Sequence, residues 1–274
     1  MILWVGIARE INSFKEIILQ ENNVNFNEKF EEINNGFYEE NNCKTIAITG
    51  SFGTGKSVIS SILAKYISEI EKRKTLLIDF DTFNLSISSI FEFENINTKS
   101  EIKQINDNLH ILFDIRKMID LSNELYIYKI KEFFNKLKKE YEFIIIDTSS
   151  NLNYKYIKLV LSYADNIIFL VEPNLIETRK ATNMLEVFIN DWNIDVDKIK
   201  LVVNKVNKYE LVNSIIEELF FECEIISKLQ YEEKYNLFIN QNTNFFIDKN
   251  GYKNIYEKIK NREEIYANSS VRSN

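Results

Sequence analysis

Two kinds of hydrophobic pattern alternate along the chain. Continuous apolar runs rich in β-branched residues fall at 45–49, 75–80, 109–113, 143–147, 166–171, 200–204 and 223–227. Continuous rather than alternating apolarity marks strands covered on both faces. Between the runs, apolar residues recur at helical spacing. Val58, Ile59, Ile62, Leu63, Tyr66, Ile67 and Ile70 make one stripe, with Lys65, Glu69 and Lys72 off it. Similar stripes run through 125–137, 154–163, 176–188 and 211–221. Strand and helix in alternation predict an α/β fold: a predominantly parallel sheet of about seven strands, helices on both faces in three layers, and right-handed connections.

Composition narrows the possibilities. The 274 residues are 45% hydrophobic, enough for one large domain. That domain is expected at 43–266, after an extension at 1–42 of unassigned role and before a disordered tail at 267–274. A net charge of -7 repels phosphate backbones and anionic lipid, which argues against DNA and membrane surfaces as partners. Two cysteines, Cys43 and Cys223, without a C-x-x-C spacing exclude a disulfide framework and fit buried filler in a reducing cytoplasm. The single histidine, His110, sits inside an apolar run and reads as a packed strand residue. The opening "MILWVGIA" lacks a basic flank and is short for a signal or an anchor.

Three of the six glycines, Gly50, Gly53 and Gly55, lie within six positions. There the chain reads Gly50-Ser51-Phe52-Gly53-Thr54-Gly55-Lys56-Ser57, G-x-x-x-x-G-K-S, after a predicted strand and before a predicted helix. This is the context a phosphate-binding loop requires. Residues Gly50 to Val58 form the expected binding segment, its N–H groups converging on phosphate at the helix N-terminus. Lys56 reaches the β- and γ-phosphates, and the Ser57 hydroxyl ligates Mg²⁺. Asp79 and Asp81 fall at the C-terminal tip of one strand and Asp147 at the tip of another, the edge where parallel sheets bind ligands. Carboxylates there can organise the metal and orient the attacking water. Asn204-Lys205-Val206-Asn207 resembles a guanine-reading Asn-Lys-x-Asp, but the amide of Asn207 cannot replace the carboxylate that accepts two guanine N–H bonds. Adenine is the expected base.

From about residue 44 to 260 the chain resembles the MinD/ParA family of P-loop ATPases. The motifs are "TLLIDFD", "YEFIIIDT", "ADNIIFLVEP" and "LVVNK". The resemblance implies ATP and Mg²⁺ as cofactors and a homodimer formed with ATP. It assigns Asp79 and Asp81 to metal organisation and hydrolysis, with Lys56 beside them. Asp147 becomes the Walker B carboxylate, completing a metal set with Ser57 and Asp79. Asn204, with Lys205 next to it, meets the adenine.

Two departures stand out. Ser51 occupies the position of the family's lysine that reaches across the dimer to the partner's ATP, and Phe52 replaces the next glycine. After Asp147, the family's Pro- and Gly-containing loop becomes Thr148-Ser149-Ser150-Asn151, where Asn151 could stand left-handed in place of glycine. Both departures touch hydrolysis more than binding. The expectation is a slow, partner-stimulated ATPase that positions or regulates a protein assembly through an unidentified partner. The pilus- and secretion-localising CpaE/TadZ branch is the nearest in character. A nucleotide-binding scaffold with little turnover and a kinase-like enzyme on the same fold are the alternatives. The C-terminal segment, with Glu257, Glu263 and Glu264 among its cations, reads as a docking helix rather than a membrane anchor.

Overall fold

The computed structural model describes residues 42–81, 84, 86–91, 102–113, 126–152, 155–207, 210–220, 222–231 and 249–260. The expected extension, but for its last residue, and the expected tail lie outside these.

All seven apolar runs are strands: β1 (Lys44–Gly50), β2 (Thr75–Asp79), β4 (Leu109–Leu112), β5 (Phe143–Asp147), β6 (Asn166–Val171), β7 (Ile199–Val206) and β8 (Glu224–Gln230). An eighth, β3 (Lys103–Gln104), pairs antiparallel with β4 at one edge. Two polar residues carry no apolar signal, so β3 was not readable from the pattern. The sheet order is β3-β4-β2-β5-β1-β6-β7-β8, and every other pairing is parallel.

Alternate side chains point to opposite faces. Ile46, Ile48, Leu77, Ile145 and Ile168 join a core with α1 (Lys56–Glu69), α2 (Ser86–Ile90) and α7 (Lys249–Lys260). On the other face, α3 (Tyr126–Leu137) and α4 (Lys155–Tyr163) meet through the stacked rings of Phe134 and Tyr163. There too Phe169 packs edge-on against Phe188, just beyond α5 (Leu175–Glu186). A further helix, α6 (Glu210–Leu219), precedes β8.

The expected docking helix is described as far as Lys260, as α7, and Glu263 and Glu264 lie outside the described residues. Its Tyr252, Ile255, Tyr256 and Ile259 are buried, and Lys258 pairs with Glu224 at 2.6 Å. Both cysteines are buried thiols outside any disulfide, and His110 Nδ1 lies 2.8 Å from the Tyr141 hydroxyl. Among the described residues no helix is long and apolar enough to cross a membrane.

Candidate nucleotide site

The carboxyl ends of β1, β2 and β5 lie side by side, with Ile48 and Asp79 both in register with Asp147. Between β1 and α1 the chain turns through Gly50, Gly53 and Gly55 at φ of 147°, 86° and 89°. These are values that side-chain-bearing residues rarely adopt, and this is why glycine is concentrated here. Space excludes side chains as well. A Cβ on Gly50 would meet the Leu170 carbonyl oxygen at 2.7 Å, and one on Gly55 would meet Asn204 Nδ2 at 2.9 Å. Gly55 caps α1 in the left-handed conformation without a side-chain hydrogen bond, and the first helical turn holds no acidic residue. A helix start of this kind favours an anion.

Lys56 is buried, and its ammonium donates to Ser150 Oγ at 2.5 Å and to the Ser51 carbonyl at 3.2 Å. Burial lowers its pKa, while Asp147 and Asp81 oppose that shift. Asp147 is fully buried; its Oδ1 accepts from Ser60 Oγ at 3.1 Å and its Oδ2 has no hydrogen-bond partner in the protein. Loss of hydration pushes its pKa up to about 6, against the pull of Ser57, Lys56 and Ser60.

Asp79 is equally buried but differently used. Its Oδ1 accepts from the Asp81 N–H and its Oδ2 from the Ile87 N–H, each at 3.2 Å. Both oxygens are thus engaged by backbone N–H groups, one just after β2 and one in α2. Burial, and Asp147 beside it, raise its pKa well above the usual carboxylate range. Asp81 projects instead into a cavity of about 730 Å³, with Lys56, Ser57, Ser149, Ser150 and Asn151 also in its wall. Asp79, Asp147 and Asn204 are not in that wall. Among the described residues no three acidic, histidine or cysteine side chains close into a ready metal cage. Mg²⁺ needs none, since it retains waters and takes phosphate oxygens. Asn151 is not left-handed: among the described non-glycine residues, Lys72, Asn193 and Lys205 have positive φ.

The other flank of the loop is fastened to β6, α5 and β7. Asn204 Nδ2 donates to the Thr54 carbonyl at 2.8 Å, leaving its buried Oδ1 without a partner. Lys205, at φ 58°, donates to the Gly53 carbonyl at 2.7 Å and pairs with Glu172. Ser51 is buried, its Oγ donating to Glu177 Oε2 at 2.5 Å, while its carbonyl accepts from Thr54 Oγ1 at 2.9 Å. Phe52 next to it is 79% exposed.

Glu172, Glu177 and Ser60 are site residues that sequence reasoning did not find. Glu177 carried a misleading signal: Asn174-x-x-Glu177 reads as a helix start, and Asn174 Oδ1 does accept from the Glu177 N–H at 2.9 Å. The glutamate side chain itself turns to Ser51 and Lys180.

Residues 45–245 match the CobQ/CobB/MinD/ParA nucleotide binding domain. Among solved structures, a candidate plasmid partition protein of Borrelia burgdorferi B31 bound to AMPPNP is 25% identical. It aligns over 78% of this chain and 97% of its own with a TM-score of 0.65. The septum site-determining protein MinD of Pyrococcus horikoshii OT3, complexed with Mg-ADP, is 16% identical over 80% and 99% of the two chains, with a TM-score of 0.62. Among curated proteins, RecBCD enzyme subunit RecD of Buchnera aphidicola subsp. Schizaphis graminum is 26% identical over 256 residues. That match takes in 81% of this chain but only 40% of RecD.

Proposed function

The chain belongs to the CobQ/CobB/MinD/ParA nucleotide-binding family, and from that premise we propose that it is an ATP-dependent dimerisation switch that positions or regulates a protein assembly. The observation that carries this reading is the setting of Lys56. A buried ammonium stands at an uncapped helix start, satisfied by a serine hydroxyl and a carbonyl that phosphate oxygens can replace. Nucleotide-bound relatives of the same fold support it.

Two orphaned acceptors fit the ligands. Asn204 Oδ1, its orientation set by the bond to Thr54, suits the adenine amino group and would face an unfavourable acceptor in guanine. Asp147 Oδ2 suits a metal ion or a water of its shell, and Ser57 is the hydroxyl placed to join it. Mg²⁺ held there would screen the phosphate charges. Asp81, on the cavity wall, is the carboxylate suited to orienting water. Asp79 acts through the backbone of the Asp81–Ile87 segment, as a positioning residue.

Hydrolysis is slow in this reading, because Ser51 supplies no cation. Loss of a charge that stabilises phosphoryl transfer costs about 10³ to 10⁵ in rate in related chemistry. A scaffold with still less turnover is the second reading, favoured by the inward bond of Ser51 to Glu177. A basal kcat of many turnovers per second without a partner would exclude both.

The decisive measurement is molar mass by light scattering with ADP and then with ATP and Mg²⁺, with Lys56→Ala as control. The switch predicts a monomer that doubles its mass in ATP alone, and a variant whose ATP affinity falls by about 100-fold and whose mass does not respond. A mass unchanged by any nucleotide would sink it.

A further inference from the structure

Ser60, fully buried on α1, has two acceptors within reach of one hydroxyl: the Lys56 carbonyl at 2.8 Å and Asp147 Oδ1 at 3.1 Å. A serine hydroxyl carries a single proton, so it serves one of them at a time. Other serines of α1 show what the ordinary arrangement is. Ser61 Oγ donates to the Ser57 carbonyl at 2.7 Å and Ser68 Oγ to the Lys65 carbonyl at 3.1 Å, back-bonds to the preceding turn with no carboxylate involved. A carbonyl inside an α-helix accepts a backbone N–H as well, so it does not depend on the serine. The carboxylate of Asp147 has no such second supply at Oδ1.

Resting on the assignment of a metal ion to Asp147, we propose that Ser60 is the positioning residue of that site: by donating to Oδ1 it fixes the carboxylate so that Oδ2 is the oxygen offered to Mg²⁺ or to a water of its shell. The two oxygens of a carboxylate are chemically equivalent, and a turn about the Cβ–Cγ bond exchanges them. The bond to Ser60 removes that equivalence, for Oδ1 is engaged and Oδ2 is buried without a hydrogen-bond partner in the protein. Asp79, in register with Asp147 on the neighbouring strand, shows the contrasting case. Both of its oxygens accept backbone N–H groups, and neither is left for a ligand.

The second acceptor gives the hydroxyl its use. An ionised carboxylate forms the stronger, charge-assisted bond, so the Ser60 proton turns to Oδ1 when Asp147 serves a cation, and the Lys56 carbonyl keeps its place in the helix. The same rotation costs the fold nothing else, because Ser60 is bonded to no further group. Hydrogen-bonded partners of metal-ligating carboxylates orient them, and removing one typically lowers metal affinity by about 10- to 100-fold. Ser60 therefore acts on the metal through Asp147, without itself touching metal or nucleotide.

The test titrates the full chain with fluorescent ATP, once with Mg²⁺ and once with EDTA, and takes the ratio of the two affinities as the Mg²⁺ gain. Ser60→Ala is expected to lose about tenfold of that gain while its affinity in EDTA stays unchanged. Ser60→Thr, which keeps the hydroxyl, and Ser68→Ala, which removes a buried hydroxyl of the same helix away from the site, should both keep the gain of the wild type. In an Asp147→Asn background Ser60→Ala should change the gain no further, since it acts through that carboxylate. If Asp147→Asn loses the gain and Ser60→Ala keeps it, the positioning role is overturned and the metal reading stands. An equal loss in Mg²⁺ and in EDTA, or a loss that Ser60→Thr shares, would make Ser60 a packing residue and also overturn it. A wild type that binds ATP equally well in both buffers would remove the metal from Asp147, and the proposal with it.

Discussion

The two flanks of the glycine loop are built from similar residues and have opposite characters. Toward β6, α5 and β7 the loop is fastened: Ser51 to Glu177, Gly53 to Lys205, Thr54 to Asn204. Toward β5 and α2 polar groups are gathered around a cavity instead. Lys56 leans on Ser150, Asp147 keeps a bare oxygen, and Asp81 faces an open cavity. The difference teaches how a loop of unusual backbone conformation can be rigid and receptive together. One side supplies the hydrogen bonds that hold the main chain, so the other need not satisfy itself before a ligand arrives. Preorganisation of that kind reduces the ordering cost of binding.

The comparison breaks most severely at Gly55, which belongs to both flanks. Gly55→Ala forces a side chain into the left-handed region and against Asn204 Nδ2, undoing the bond to Thr54. The expected cost is about 2–3 kcal/mol in denaturant unfolding, with at least a tenfold loss of ATP affinity. A variant as stable and as tight as the wild type would show that the fastened flank is dispensable.

Asp147→Asn acts on the receptive flank and is expected to stabilise. The buried carboxyl has its pKa pushed up to about 6, above the unfolded value of 3.8. The folded state therefore holds a proton that the unfolded chain has released, and stability falls as pH rises from about 4 to about 6. Near neutral pH, removing that charge should add on the order of 2 kcal/mol to the nucleotide-free protein and flatten this part of the pH profile. Dependence of ATP binding on Mg²⁺ should weaken in the same variant. Thermal melts across pH check the first outcome and titrations with and without Mg²⁺ the second; a less stable variant would contradict the reading.

The smallest effect is expected from Glu177→Ala. It removes one acceptor at the partly exposed edge of the fastened flank, where other bonds remain. Stability should change by about 1 kcal/mol or less and ATP affinity by only a few-fold. Loss of binding would mean that the flank hangs on this one contact.

Much of this was legible in the residues. The apolar runs marked seven strands within one to three residues of their ends. Glycine clustering located the loop because the left-handed values at Gly53 and Gly55 exclude most other residues. The distinction between Asp79 and Asp147 was not legible. Both end a strand, and only the tertiary contact of the Ile87 N–H with Asp79 separates their hydrogen bonding. Asn151 looked fit for a left-handed turn and does not make one, since local tolerance of a conformation does not impose it.

The chain pattern by itself determined the alternation of elements, the place of the glycine loop and the family, because these depend on periodicity and on residues close together in sequence. Tertiary structure alone decided the strand order, the inward turn of Ser51 toward a glutamate 126 positions away, and the outward face of Phe52. Those outcomes rest on pairings between distant segments. Nothing in either segment specifies its partner until packing of the shared core brings the two together.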